Sequence, residues 1–108
     1  MNEKLLSLLG IARRAGRLSV GFDAAAESMK KGKSYLLVLA GDISERTSGS
    51  IISKAEQSGT EVLKTALSME QIGNAIGKKM IGIISVNDSG FAEKLKALFS
   101  EQQTGGMY

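Results

Sequence analysis

"KSYLLVLAGDISERT", Lys33 to Thr47, is the stretch that decides the architecture. Its first part, Tyr35–Gly41, is apolar without a break and has no three-or-four-residue period. Such a run predicts a central strand buried on both faces. The chain then turns polar at once. Asp42 and Glu45 have the spacing of a capping box, and Ile51, Ile52 and Ala55 would lay an apolar face on the helix they open. A strand that feeds directly into an amphipathic helix is the unit of an α/β protein.

The same alternation extends in both directions. Upstream, Leu5, Leu8, Leu9 and Ala12 recur at helical spacing, with Asn2 as N-cap and Gly16 at the C′ position. A short extended piece, Arg17–Val20, separates this helix from a second one carrying Phe22, Ala25, Ala26 and Met29 and stopping at Gly32. Downstream, the helix after Asp42 ends at Gly59, and a shorter strand follows around Glu61–Thr65. Ser68 and Gln71 form another capping box over Met69, Ile72 and Ile76. "MIGIISV", Met80–Val86, is a second buried strand. Asn87 or Asp88 then caps a last helix with Phe91, Leu95, Leu98 and Phe99 facing inward. The expected fold is a three-layer α/β/α sandwich with a small mixed β-sheet, three strands forming its core. Residues 1–100 make one domain, and the aperiodic tail 101–108 is expected to fray.

Composition narrows the chemistry. With no Cys and no His among 108 residues, there is no thiolate nucleophile, no disulfide and no imidazole base or metal ligand. No metal and no cofactor are expected, and no catalytic residue can be named. Asp42 and Glu45 are spaced for capping rather than for acid–base work, and nothing activates Ser44, Thr47, Ser48 or Ser50. "GNAIGKK", Gly73–Lys79, fails as a phosphate loop: its glycines are one residue too close, and no Ser or Thr follows the Lys. No apolar run reaches the roughly 20 residues of a membrane span, and the N-terminus lacks a secretory plan. A cytoplasmic protein without a membrane partner is the expectation.

The net charge of +3 is uneven. Residues 1–34 carry seven bases against three acids, whereas residues 35–108 carry seven against eight. Arg13, Arg14 and Arg17 fall at the end of the first helix, and Lys30, Lys31 and Lys33 at the end of the second. Cations at helix C-termini also complement the helix dipole, and a solvated basic surface is the plainer explanation of them. Their concentration around one extended segment and one helix start points instead to a polyanion, with nucleic acid the commonest. On this reading Arg13, Arg14, Arg17, Lys31 and Lys33 contact phosphate, and Gly21, Phe22 and Asp23 lie at a base-contacting helix start. The competing expectation is a protein-interaction module whose basic face meets an acidic partner.

"LGIARRAGRLSVG" (Leu9–Gly21), "LAGDISERT" (Leu39–Thr47), "IGNAIGK" (Ile72–Lys78) and "DSGFAEKL" (Asp88–Leu95) carry a further signal. In this order the chain resembles the ribosomal protein L7Ae superfamily of kink-turn RNA binders, most of all its bacterial YlxQ-like branch, over about residues 3–99. The resemblance implies an α/β/α sandwich that binds structured RNA, ribosomal RNA among the candidates, without catalysis, with ribosomal or translation-related proteins as further partners. Kink-turn binders of this superfamily open the second helix with a pattern like G-x-N-E-x-x-K, which reads sheared G·A pairs. Gly21 matches, while Asp23, Ala24 and Glu27 stand where that pattern has Asn, Glu and Lys. The resemblance also places the loop that packs on an unstacked nucleotide at about Ser85–Ser89.

Overall fold

Leu36, Leu37, Val38 and Leu39 are all buried, as an unbroken apolar run requires, and they divide between two cores. Leu36 and Val38 face one layer of helices, whereas Leu37 and Leu39 face the other. The computed structural model describes residues 2–105, with side chains from Glu3 to Glu101. Its elements run α1 (Asn2–Arg14), β1 (Leu18–Val20), α2 (Phe22–Lys30), β2 (Leu36–Leu39), α3 (Glu45–Ser58), β3 (Val62–Lys64), α4 (Met69–Ala75), β4 (Ile83–Val86) and α5 (Ser89–Gly105).

The sheet has the order β1-β4-β2-β3. β4 is antiparallel to both of its neighbours, and β2 pairs with β3 in parallel through the crossover helix α3. The sheet is therefore mixed, and the short extended piece after α1 joins it as a fourth, edge strand. On one face, Leu5 and Leu9 of α1, Ile72 of α4 and Leu95 of α5 pack over Leu36, Val38, Ile84 and Val86. On the other, Ala25 and Met29 of α2 and Ile51 and Ala55 of α3 pack over Leu37, Leu39 and Ile83. These are the three layers expected from the sequence. A fully buried Leu or Ile contributes about 1.5–3 kcal/mol, so the two apolar faces of β2 and β4 supply much of the driving force.

Several local expectations are corrected. Asp42 and Glu45 do not form a capping box. Ser44 caps α3, its Oγ accepting from the Thr47 amide at 3.2 Å. Asp42 instead reaches across the chain, and its Oδ1 accepts from the Met69 amide at the start of α4 (2.9 Å). The turn over 41–44 frees that carboxylate from its own helix, and the positive end of α4 attracts it. Asn2 is the first residue of α1 rather than its cap. Met80 to Gly82 precede the β4 ladder, which begins at Ile83. Asp88, not Asn87, caps α5, accepting from the Phe91 amide at 2.9 Å. The helical backbone of α5 continues past Ser100 to Gly105, and positions 106–108 of the tail expected to fray lie outside the described residues. The Ser68–Gln71 capping box forms in both directions, as its spacing predicts.

Among the described residues, no helix is long and apolar enough to cross a membrane.

Candidate nucleic-acid interface

α2 joins the two ends of the sheet, and each end of the helix has its own chemistry. Its start is set by Gly21, whose φ of 96° and ψ of 169° lie in a region open essentially to glycine alone. The Gly21 amide donates to the Ile83 carbonyl at 2.8 Å, which continues the β1–β4 ladder by one residue beyond Val20. Gly21 has no side chain with which to cap the helix. The first-turn amides of α2 therefore face outward as donors, with exposed Asp23 standing among them.

Beside this helix start lies a cleft of ≈ 360 Å³ lined by Gly21, Phe22, Ile43, Thr47, Met80 and Ile83, among others. It is mostly apolar, with hydroxyls from Ser44 and Thr47 at the start of α3. Met80 is 56% exposed, one of three large apolar side chains that lie exposed among the described residues. Arg46, in the first turn of α3, and Lys78 and Lys79, just before Met80, are all exposed. Cations, free amides and apolar surface thus meet at this end.

The other end of α2 is built from two matching turns. Gly16 closes α1 and Gly32 closes α2, both in the left-handed region (φ 74° and 71°). The Arg17 amide reaches back to the Ala12 carbonyl (3.0 Å), and the Lys33 amide to that of Ser28 (2.9 Å). Each is the six-to-one bond of a Schellman turn, so Arg17 and Lys33 occupy the same place after their respective helices. A partly buried polar cluster ties the two turns together. Asn87 donates its backbone amide to the Arg17 carbonyl (2.8 Å) and its side-chain Nδ2 to Ser19 Oγ (2.7 Å). Its Oδ1 accepts from Ser28 Oγ (2.6 Å) and Ser85 Oγ (2.7 Å). Ser85 Oγ also lies 2.8 Å from Ser34 Oγ. Ser85 is wholly buried, and no buried side-chain polar atom among the described residues lacks a partner.

The structure therefore separates residues that the sequence groups. Arg17, Lys31 and Lys33 gather where α1 and β4 end and α2 finishes. Gly21, Phe22 and Asp23 lie at the far end of α2, about 13 Å away for nine residues at 1.5 Å each. Arg14 leans along α1 over Gly10 and borders a hollow with Ala75 of α4, and Arg13 is half-buried in the last turn of α1. The loop placed at Ser85–Ser89 is also corrected. It lies at the Arg17 end, and the segment that borders the start of α2 is Met80–Gly82, ahead of β4 rather than after it.

Sequence reasoning misses Arg46, Lys78, Lys79 and Met80 at the helix start. The run "KKM" is legible as two cations and a thioether, but "MIGIISV" reads as strand throughout, which hides Met80 in a core. The polar cluster has one signal: Ser85 interrupts an otherwise apolar strand.

Fold and site define a small α/β/α sandwich that presents a glycine-opened helix start and neighbouring loops at one end of its sheet. The model of the ribosomal protein L7Ae/L30e/S12e/Gadd45 family matches residues 3–96, and the chain belongs to that family. It is 31% identical to the RNA-binding protein YlxQ of Bacillus subtilis, over 84% of this chain and 90% of that protein. With the RNA-binding protein YlxQ of Enterococcus faecium it shares 35% identity, covering 89% and 91%. A solved structure of a Bacillus halodurans protein of unknown function superposes with a TM-score of 0.85 at 34% identity, over 91% of this chain and 98% of that one. The Giardia lamblia 15.5kD RNA binding protein shares the fold (TM-score 0.73, 15% identity, covering 95% and 88%). The two YlxQ relatives agree with the expected YlxQ-like branch, and they and the family with a non-catalytic protein.

Proposed function

We propose that the protein binds structured RNA, ribosomal RNA among the candidates, in the cytoplasm, using the end of the sheet where α2 begins. The carrying observation is the Gly21–Ile83 hydrogen bond, which holds an uncapped helix start against the cleft beside Met80. Free amides at a helix start donate to phosphates or base edges. An exposed apolar wall accommodates a base that has left its stack, the usual target of RNA recognition outside regular duplex. Arg46, Lys78 and Lys79 supply phosphate contacts around it. The two YlxQ relatives bear the name RNA-binding protein, which supports the same reading.

The test is a titration of the protein and of Met80→Asp with a kink-turn RNA, an RNA carrying a single bulged base and a plain duplex. The natural protein should prefer the first two, and Met80→Asp should lose tenfold or more of that preference while its duplex binding changes little. Equal binding of all three RNAs, unaltered by Met80→Asp, would exclude this cleft as the recognition site.

A further inference from the structure

We infer that the opposite end of the sheet is a second RNA contact, a sequence-independent phosphate clamp formed by Arg17, Lys31 and Lys33 beside Tyr35. The inference rests on the RNA-binding reading but on different residues. Three observations carry it.

The first is charge. Arg17, Lys31 and Lys33 gather here with Lys30 closing α2, and among the described residues Glu27 and Asp88 are the acids that pair with them. Those two acids make surface pairs, exposed Glu27 with Lys31 at 3.5 Å and half-buried Asp88 with Arg17 at 3.8 Å. Such pairs are weak and readily exchanged for phosphate. Lys33 is exposed and makes no ion pair among those found in the described residues. The start of α2, by contrast, has more acids than bases around it, with Asp23, Asp42, Glu45 and Glu70 against Arg46, Lys78 and Lys79. The excess of bases over acids thus lies at the end that lacks the base-sized cleft.

The second is fixation. Arg17 and Lys33 leave the body at equivalent positions of two Schellman turns, and both turns bond into the Asn87 cluster. Asn87 holds the Arg17 carbonyl directly and the Lys33 turn through Ser28. Side chains on backbones held this firmly lose less entropy on meeting a ligand than the same cations on a loose loop.

The third is the surroundings. Tyr35 is 54% exposed, its amide bonded to the Val86 carbonyl at 2.8 Å, and by strand alternation it falls on the α2 side of the sheet with Leu37 and Leu39. An aromatic face next to cations suits a nucleotide base or sugar. A protein partner would need an apolar centre to bury, and Tyr35 is the only large exposed apolar residue that the described structure puts at this end. The two ends are the length of α2 apart, so one RNA can touch both.

The experiment compares the natural protein, Met80→Asp and the triple variant Arg17→Gln, Lys31→Gln, Lys33→Gln on the same three RNAs across a range of salt. The triple variant should bind all three RNAs 10- to 100-fold more weakly at low salt, by one common factor. Its slope of log affinity against log salt should fall by about two to three, at roughly 0.7–0.9 for each phosphate no longer neutralised. Lys33→Gln alone, at an exposed and unpaired site, should move both quantities in the same direction without disturbing the fold. Unchanged affinity and slope in the triple variant, while the natural protein binds RNA, would overturn the clamp and leave the first reading intact. Loss of discrimination among the RNAs in the triple variant would overturn sequence independence. Absence of RNA binding by the natural protein would overturn the RNA reading itself, and the clamp with it.

Discussion

The Gly21 amide and the Ile83 carbonyl, 2.8 Å apart, join the first residue outside α2 to the first residue of β4. The turn that opens the helix is therefore part of the sheet, and its shape is set by backbone pairing as well as by Gly21 itself.

Gly21→Ala should cost about 1–3 kcal/mol, because the native φ and ψ lie where a Cβ is strained. No atom lies within 4 Å of where that Cβ would sit, so the cost is conformational rather than a clash. Gly16→Ala, at a left-handed φ of 74°, should cost less, about 1–2 kcal/mol. Urea unfolding of the two variants tests the order. A Gly21→Ala protein as stable as the natural one would show that the turn relaxes freely.

Asp42→Ala should destabilise by about 0.5–2 kcal/mol through loss of the bond to the Met69 amide, and Asp42→Asn by less, since its Oδ1 still accepts. Glu45→Ala should stay within about 0.5 kcal/mol of the natural protein, because Glu45 is exposed and outside any capping box. Thermal unfolding of the three variants distinguishes this arrangement from one in which Asp42 and Glu45 serve α3 together.

That contrast shows where the sequence is sufficient. The run Tyr35–Gly41 announces a two-sided strand because period-free apolarity has few other uses, and the glycines at 16, 32 and 59 stop helices as left-handed caps do. Ser68 and Gln71 are legible because both members of their box are local. Asp42 is not, since its partner is 27 residues away and no spacing rule links them. The site is half legible for the same reason. Charge, the Gly21 start and the extended piece between them are written in the sequence, but only the sheet order reveals that this piece is an edge strand paired to β4, which sets Gly21 against Ile83. β1 reads as merely extended, because three residues are too few for a period.

Asn87→Ala should destabilise by about 1–3 kcal/mol, because the Ser28 and Ser85 hydroxyls lose their shared acceptor and are left with each other and Ser34, a lost buried partner costing roughly 1–3 kcal/mol. The same variant should loosen the Arg17 and Lys33 turns, seen as faster amide hydrogen exchange at Arg17 and Lys33. Unaltered exchange there would mean that the Schellman bonds alone hold the two turns.

Asp23→Asn, Ala24→Glu and Glu27→Lys together should strengthen binding of a kink-turn RNA by tenfold or more. The natural carboxylates repel phosphate and cannot donate a hydrogen bond when ionised, and each good hydrogen-bonded base is worth about 1–3 kcal/mol by analogy with direct readout in DNA. Asp23 and Glu27 are exposed, so the exchange leaves the core alone, although Lys31 loses its 3.5 Å partner. Titration with the same RNA carrying disrupted G·A pairs is the control. If the natural protein already binds tightly and separates the two RNAs, Asp23 is itself a reader.

The position of β4 between β1 and β2 has a consequence for how the chain is made. The strand at the middle of the sheet is the last to emerge in synthesis, and it pairs with β1 across more than sixty residues of intervening chain. Until Ile83–Val86 have been added, only the parallel β2–β3 pair can form, β1 has no ladder, and the Gly21 turn has no carbonyl to meet. Contacts so distant along the chain raise the entropic cost of closing the fold. Native structure in a growing chain therefore waits for nearly four-fifths of the sequence, and both ends of α2 take shape in the same late step.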